Sequence, residues 1–132
     1  MKPVLLAFAL LFAAFPATSQ TRPSRLVPDA SYEASGSGPD WRLAIGGRVA
    51  LRLEAQGDGF VTLQYFPRAR SRTVDGVRRW ESRTEGGATI AIEARREPCT
   101  LGGTRYRDTV AVTTPEHRLS GCGGPRLSND AD

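Results

Sequence analysis

From Trp41 onward apolar and polar residues alternate with a period of two, the pattern of strands that bury one face. Trp41, Leu43 and Ile45 alternate with Arg42 and Ala44. After a turn at Gly46-Gly47, Val49, Leu51 and Leu53 alternate with Arg48, Arg52 and Glu54. Gly57-Asp58-Gly59 is a hairpin signal. Beyond it Val61, Leu63 and Tyr65 are expected to continue the inward face, with Thr62 and Gln64 outward, until Pro67 ends the strand. A turn at Asp75-Gly76 leads into a strand from Val77 to Arg83, and Gly86-Gly87 turns the chain again. Ile90, Ile92 and Ala94 then face the core opposite Thr89, Glu93 and Arg95. Tyr106 to Thr113 carries Val110 and Val112 inward, and Pro115-Glu116 turns it into His117 to Cys122. No stretch has a helical period of useful length. Seven or eight short strands predict an all-β domain, a small antiparallel barrel or sandwich. Closure into a barrel would remove exposed strand edges.

The ends of the chain differ from this middle. Met1–Ser19 has one cation at Lys2, an apolar run from Val4 to Phe15, and Pro16-Ala17-Thr18-Ser19. This is the charged start, short apolar centre and small-residue exit of a secretory signal peptide. The run is too short to span a bilayer as a stable helix, so no transmembrane segment is expected in the mature chain. The predicted organisation is a signal peptide over 1–19, a flexible Pro-containing leader over 20–29, one β domain over 30–124 and a flexible tail over 125–132. The predicted address is periplasmic or secreted.

Charge and cysteine content fit that address. Lys2 is the one lysine, so the mature chain would carry 17 Arg against 14 acidic residues. A mild positive balance suits anionic envelope partners, such as lipid headgroups, lipopolysaccharide or acidic polymers. Export takes the protein away from nucleic acid. Cys99 and Cys122 are the two cysteines of the chain, and an even pair in a small exported domain predicts a disulfide. Cys-x-x-Cys, the redox spacing, is absent.

The chain shows no catalytic motif. His117 is the single histidine, which excludes a His-rich metal site. His117, Asp108 and Ser120 assemble into a triad only on paper, because no Gly-x-Ser-x-Gly motif presents the serine. Glu81, Glu85, Glu93 and Glu97 lie at solvated strand and loop positions. The Gly-rich pairs open no helix and are turns, not phosphate loops. The expectation is a protein without a cofactor, a metal or an enzymatic activity.

Two surface features remain. Arg68, Arg70, Arg72, Arg78 and Arg79, with Arg83 nearby, form a basic stretch around the Asp75-Gly76 turn. If extended, it forms an anion-binding patch able to grip phosphates or carboxylates bidentately, or else an ordinary charged hairpin. Trp41, Tyr65 and Trp80 are either core anchors or the aromatic mouth of a site for a small apolar ligand.

The order of these signals resembles an uncharacterised family of small bacterial envelope proteins. The matching segments are Tyr32-Glu33-Ala34-Ser35-Gly36, Trp41, Pro98-Cys99, Tyr106, Val110-Ala111-Val112 and Gly121-Cys122-Gly123. In architecture the chain is also similar to META/heat-shock-like and lysozyme-inhibitor-like envelope barrels. Gly38 and Asp40 stand where the family has Glu and Phe before its Trp, and the loop after Cys99 lacks the family's Asp and Met-Ser. The resemblance therefore implies a scaffold and an envelope role, not an activity. The leading expectation is an exported, non-enzymatic binding protein. The alternatives are an inhibitor of a lysozyme-type hydrolase and, last, a hydrolase.

Overall fold

Ten short antiparallel strands account for nearly all the regular structure. They are β1 (Tyr32–Gly36), β2 (Trp41–Ile45), β3 (Val49–Glu54), β4 (Val61–Phe66), β5 (Arg70–Val74), β6 (Val77–Arg83), β7 (Thr89–Arg95), β8 (Cys99–Leu101), β9 (Thr104–Thr113) and β10 (Arg118–Arg126). The computed structural model describes residues 26–54 and 59–128. The expected signal peptide, residues 20–25 of the expected leader, the expected turn at Gly57-Asp58 and the last four residues lie outside them. Among the described residues no helix is long and apolar enough to cross a membrane.

Nine strands form one path in the order β4-β3-β2-β1-β10-β9-β7-β6-β5, and β8 pairs with β9 beside it. The path is two meanders joined where the N-terminal strand meets the C-terminal one, with Ala34 opposite Gly123 and Ser35 opposite Cys122. The outermost strands β4 and β5 are consecutive in the chain, linked only by residues 67–69. Four Cα–Cα steps span at most about 14 Å, so the sheet must roll until its edges approach at that end. No ladder joins β4 to β5. Among the described residues the sheet is rolled but not closed, and it holds ten strands where seven or eight were expected.

The inner face is packed by side chains. Leu43, Leu51, Ile92, Val110 and Val112 are fully buried, and Trp41, Phe66 and Trp80 join them in one apolar cluster. The alternation predicted for β2, β3, β7 and β9 therefore holds, and Val77–Arg83 is a strand as expected. At the β5–β6 hairpin Asp75 and Gly76 both take positive φ, 52° and 77°. That is the backbone of a two-residue turn whose twist matches its strands.

Trp41 owes its place to two glycines. Its ring lies across Gly36 on β1 and Gly121 on β10, and its Nε1–H donates to the Ser120 carbonyl at 3.3 Å. A Cβ at either glycine would overlap the indole or the facing backbone. This explains why β1, sequence Tyr-Glu-Ala-Ser-Gly, reads poorly as a strand. Its inward residues shrink from Tyr32 through Ala34 to Gly36 because neighbouring rings fill the space.

Strand β4 corrects the expected facing. Val49 is paired with Phe66, Leu51 with Gln64 and Leu53 with Thr62. Directly opposed residues share a face, so Thr62, Gln64 and Phe66 point inward while Val61, Leu63 and Tyr65 point outward. Phe66 sets this register by burying its ring. Among the described residues nothing pairs with β4 on its far side, so the inner surface at Thr62 is exposed and offers little burial to the other apolar residues.

The chain ends also depart from expectation. Leu26 to Ala30 crosses the outer face of β2–β3, where Val27 is buried against Ala44 and Ala50. Asp29 Oδ2 accepts the Gly47 N–H at 2.9 Å, and the Ser31 N–H donates to the Ile45 carbonyl at 2.8 Å. Alanines at 44 and 50 let this segment lie flat, so the flexible character expected of 20–29 does not extend to Leu26–Asp29. The C-terminal strand likewise runs on to Arg126, past the expected end at Cys122, and the Leu127 N–H bonds the Arg105 carbonyl at 2.9 Å.

Cys99 and Cys122 form the predicted disulfide, with Cα atoms 5.4 Å apart. Cys99 opens β8, a strand of its own, and Cys122 lies in the middle of β10. Leu119 and Gly121 face the interior, so Cys122 points outward, and the bond holds β8 against the outside of the sheet.

Candidate functional site

One opening lies at one end of the sheet, across β5, β6, β7 and β9. Register explains its shape. Arg70, Glu81, Ala91 and Thr113 stand in one row across the four strands, with Arg83 and Thr89 in the next. Long charged side chains on β5 and β6 thus stand beside small ones on β7 and β9, which leaves a trough of about 700 Å³. Pro67 and Arg68 from the β4–β5 link and Pro115 from the β9–β10 turn complete its rim.

The trough carries a positive bias. Glu81 accepts from Arg79 at 2.8 Å and lies 4.0 Å from Arg72, and Arg79 also donates to Glu93 at 2.9 Å. Among the described residues Arg68, Arg70 and Arg83 form no such ion pair. All three are among the residues that line the trough. A guanidinium presents a rigid fork of N–H groups that matches phosphate and carboxylate oxygens.

The five arginines of the expected patch are divided by the pleat. Arg70, Arg72 and Arg79 share the outer face of the β5–β6 hairpin, and Arg68 lies just before it. Arg78 points to the opposite face, where its guanidinium lies 4.5 Å from the Trp80 ring centroid and donates to Ser71 Oγ at 3.2 Å. Arg79 is engaged with carboxylates. The patch that borders the trough is therefore Arg68 and Arg70 joined by Arg83. Arg83 was legible as part of the basic stretch but not of the five-residue patch, and the strand pairing that brings it beside Thr89 is a property of the sheet.

The three candidate aromatics are not brought to one mouth. Trp41 and Trp80 are in the core, with Trp80 4.7 Å from Tyr32 between ring centroids. Tyr65 is on the outer face of β4, with the Arg48 guanidinium 4.1 Å above its ring. A second opening, of about 550 Å³, lies over β1–β3 beside the β8–β9 turn. Its lining mixes Arg42 and Arg52 with Asp40 and Glu54, and Arg52 is paired with Glu54 at 3.3 Å, so it favours neither sign of charge.

Asp108 is the one buried charged side chain among the described residues. Tyr32 Oη donates to its Oδ2 at 2.8 Å, and Arg107 donates to both carboxylate oxygens at 2.9 and 3.0 Å. Gly124, at φ +77°, makes the bulge in β10 that passes this carboxylate, and a Cβ there would sit 2.6 Å from Oδ2. Burial acts to raise the Asp108 pKa, but the hydrogen bonds from Arg107 and Tyr32 and the nearby positive charge hold it below the usual value. Tyr32 is pushed strongly upward, first by burial and then by its bond to Asp108. An ionised, fully engaged carboxylate is a structural anchor and not a proton donor. His117 sits in the β9–β10 turn with its backbone N–H on Thr114 Oγ1, and Ser120 faces outward from β10. The triad candidates are therefore on different faces. Among the described residues no group of His, Cys, Asp and Glu is placed to hold a metal.

These shifts imply a defined pH dependence. Asp108 has a lowered folded pKa, so its contribution is complete above about pH 4 and is lost as pH falls further. Tyr32 has a raised one, so its contribution is complete below about pH 10 and is lost above. Tyr32→Phe should cost about 1–2 kcal/mol at pH 7 through the lost hydrogen bond. The gap to the parent protein should narrow above about pH 10, by up to about 1.4 kcal/mol per pH unit. Urea unfolding of both proteins between neutral and alkaline pH measures it.

The chain matches no family model, no curated protein and no solved structure.

Proposed function

We propose that this chain is an exported, non-enzymatic envelope protein that binds a phosphate-bearing anion in the trough across β5, β6, β7 and β9. The observation that carries the reading is that three arginines without an ion pair among the described residues, Arg68, Arg70 and Arg83, line one trough together with small residues such as Ser82, Thr89 and Ala91. Guanidiniums keep their protons at any physiological pH, so they supply charge and hydrogen bonds but no acid–base chemistry. Binding is the function such a lining supports. The Cys99–Cys122 bond favours the oxidising compartment that the N-terminal sequence suggests.

The phosphate has two possible sources, an anionic lipid headgroup or a free ion, and one experiment separates them. Purified protein is titrated with phosphatidylglycerol vesicles, with phosphatidylcholine vesicles, and with inorganic phosphate as competitor. The expected result is retention on phosphatidylglycerol that weakens with added salt, since exposed charges are screened over about 8 Å at physiological ionic strength. Arg70→Ala and Arg83→Ala should each weaken it about fivefold. Displacement by millimolar inorganic phosphate would identify the free ion as ligand. Retention that ignores salt, or survives the double substitution intact, removes the proposal.

A further inference from the structure

Strand β4 departs from the rule the rest of the sheet obeys. Its outward residues Val61, Leu63 and Tyr65 are 48%, 43% and 42% exposed, and Phe60 just before them is 72% exposed. Single exposed apolar residues are ordinary. Three on one face of a single strand, with a fourth exposed ring next to them in sequence, form an apolar row of the kind that marks an interaction surface. Among the described residues β4 is hydrogen-bonded along one edge only, to β3. Its other edge presents unpaired backbone donors and acceptors, a template for another strand.

The two open edges of the sheet are not alike. β5 carries Arg70 and Arg72 in five residues, and such cations guard an edge against pairing with its own kind. Residues 59–67 contain no charge at all. The sequence Val61-Thr62-Leu63-Gln64-Tyr65-Phe66 is also free of Gly and Pro.

We infer that β4 is a self-association edge, through which two copies of this chain pair antiparallel about a twofold axis at Leu63. In such a pair the opposed residues must share a face, and the strand meets that condition against itself. With Leu63 opposite Leu63 of the second copy, Val61 meets Tyr65 of the second copy and Thr62 meets Gln64 of the second copy. The apolar outer row becomes continuous, Thr62 and Gln64 pair on the inner row, and no charge meets a like charge. Arg52 on the outer face of neighbouring β3, and Arg48 just before that strand with its guanidinium over Tyr65, provide the polar rim that interfaces commonly have. One strand edge and four side chains bury less than the roughly 800 Å² per partner of a standard interface. The association should therefore be reversible, with Kd on the order of micromolar.

Sedimentation equilibrium of the purified protein, from low to several hundred micromolar, decides the matter. The expected result is a concentration-dependent dimer. Leu63→Lys and Leu63→Glu should each weaken dimerisation about a hundredfold, by opposing like charges and losing two apolar contacts. Mixing the two variants should restore it to within about tenfold of the parent, because Lys then faces Glu. Leu63 lies outside the core, so the thermal midpoints of both variants should stay close to the parent and report that they are folded. A parent protein that is monomeric across the range overturns the inference and leaves the edge to a different partner. So does a dimer that Leu63→Lys leaves unchanged.

Discussion

Gly121→Ala is expected to lower the unfolding free energy by about 3 kcal/mol, the upper end of what overpacking usually costs. A Cβ at Gly121 would overlap the Ser35 carbonyl oxygen and lie 2.7 Å from Cζ2 of Trp41. Neither neighbour can yield cheaply. The carbonyl belongs to the backbone of β1, in the ladder that joins the two meanders, and the indole is held among buried residues. Gly36→Ala should behave alike, since its Cβ would overlap Trp41 Nε1 and the Ser120 carbonyl. Native domains are stable by only about 5–15 kcal/mol, so either change takes a large share. The measurement is the urea midpoint, expected to fall by roughly 1–3 M. A midpoint unchanged for both variants would mean that the indole does not rest on these glycines.

The second large effect is expected from replacing both cysteines by alanine. The bond closes a loop of 23 residues, and the chain-entropy relation assigns about 3 kcal/mol to a loop of that size. The loss should appear as a lower urea midpoint, and reductant should shift the parent toward the variant while leaving the variant unmoved. Position matters as well as magnitude. β8 pairs only with β9 and is held against β10 by the bond, so its release should loosen the Leu101–Gly102 side of the opening over β1–β3. The arginine trough lies at the β6–β7 and β9–β10 turns and should keep its anion affinity. Loss of both together would show that the bond supports the whole sheet.

Legibility in the sequence followed burial. In β2, β3, β7 and β9 the core side is covered, so alternation translates directly into facing, and Leu43, Leu51, Ile92 and Val110 lie where the pattern put them. At the rolled sheet's edges that link is broken. β4 is uncovered on its inner face, so one buried ring, Phe66, outweighs three apolar residues on the other parity. β5 is exposed at every position and carries no alternation. β1 and β8 went unseen for different reasons. β1 is built of small residues because Trp41 and Tyr32 fill its face, and β8 is three residues long.

The candidate site shows the same division. An arginine-rich stretch was plain from composition, but which guanidiniums gather depends on parity and on partners from distant strands. Arg78 and Arg79 are neighbours in the chain, yet one lies over Trp80 and the other is clasped by Glu81 and Glu93. Arg83 reaches the trough through the β6–β7 ladder.

By itself the sequence determined the all-β class, the disulfide partners and the inward residues of the covered strands, because these depend on local period and on a single cysteine pair. Tertiary structure decided the count of ten strands, the open edges, the outward row on β4 and the grouping of Arg68, Arg70 and Arg83. Each of these depends on which strands become neighbours, and a residue's own segment carries no record of what will lie opposite it.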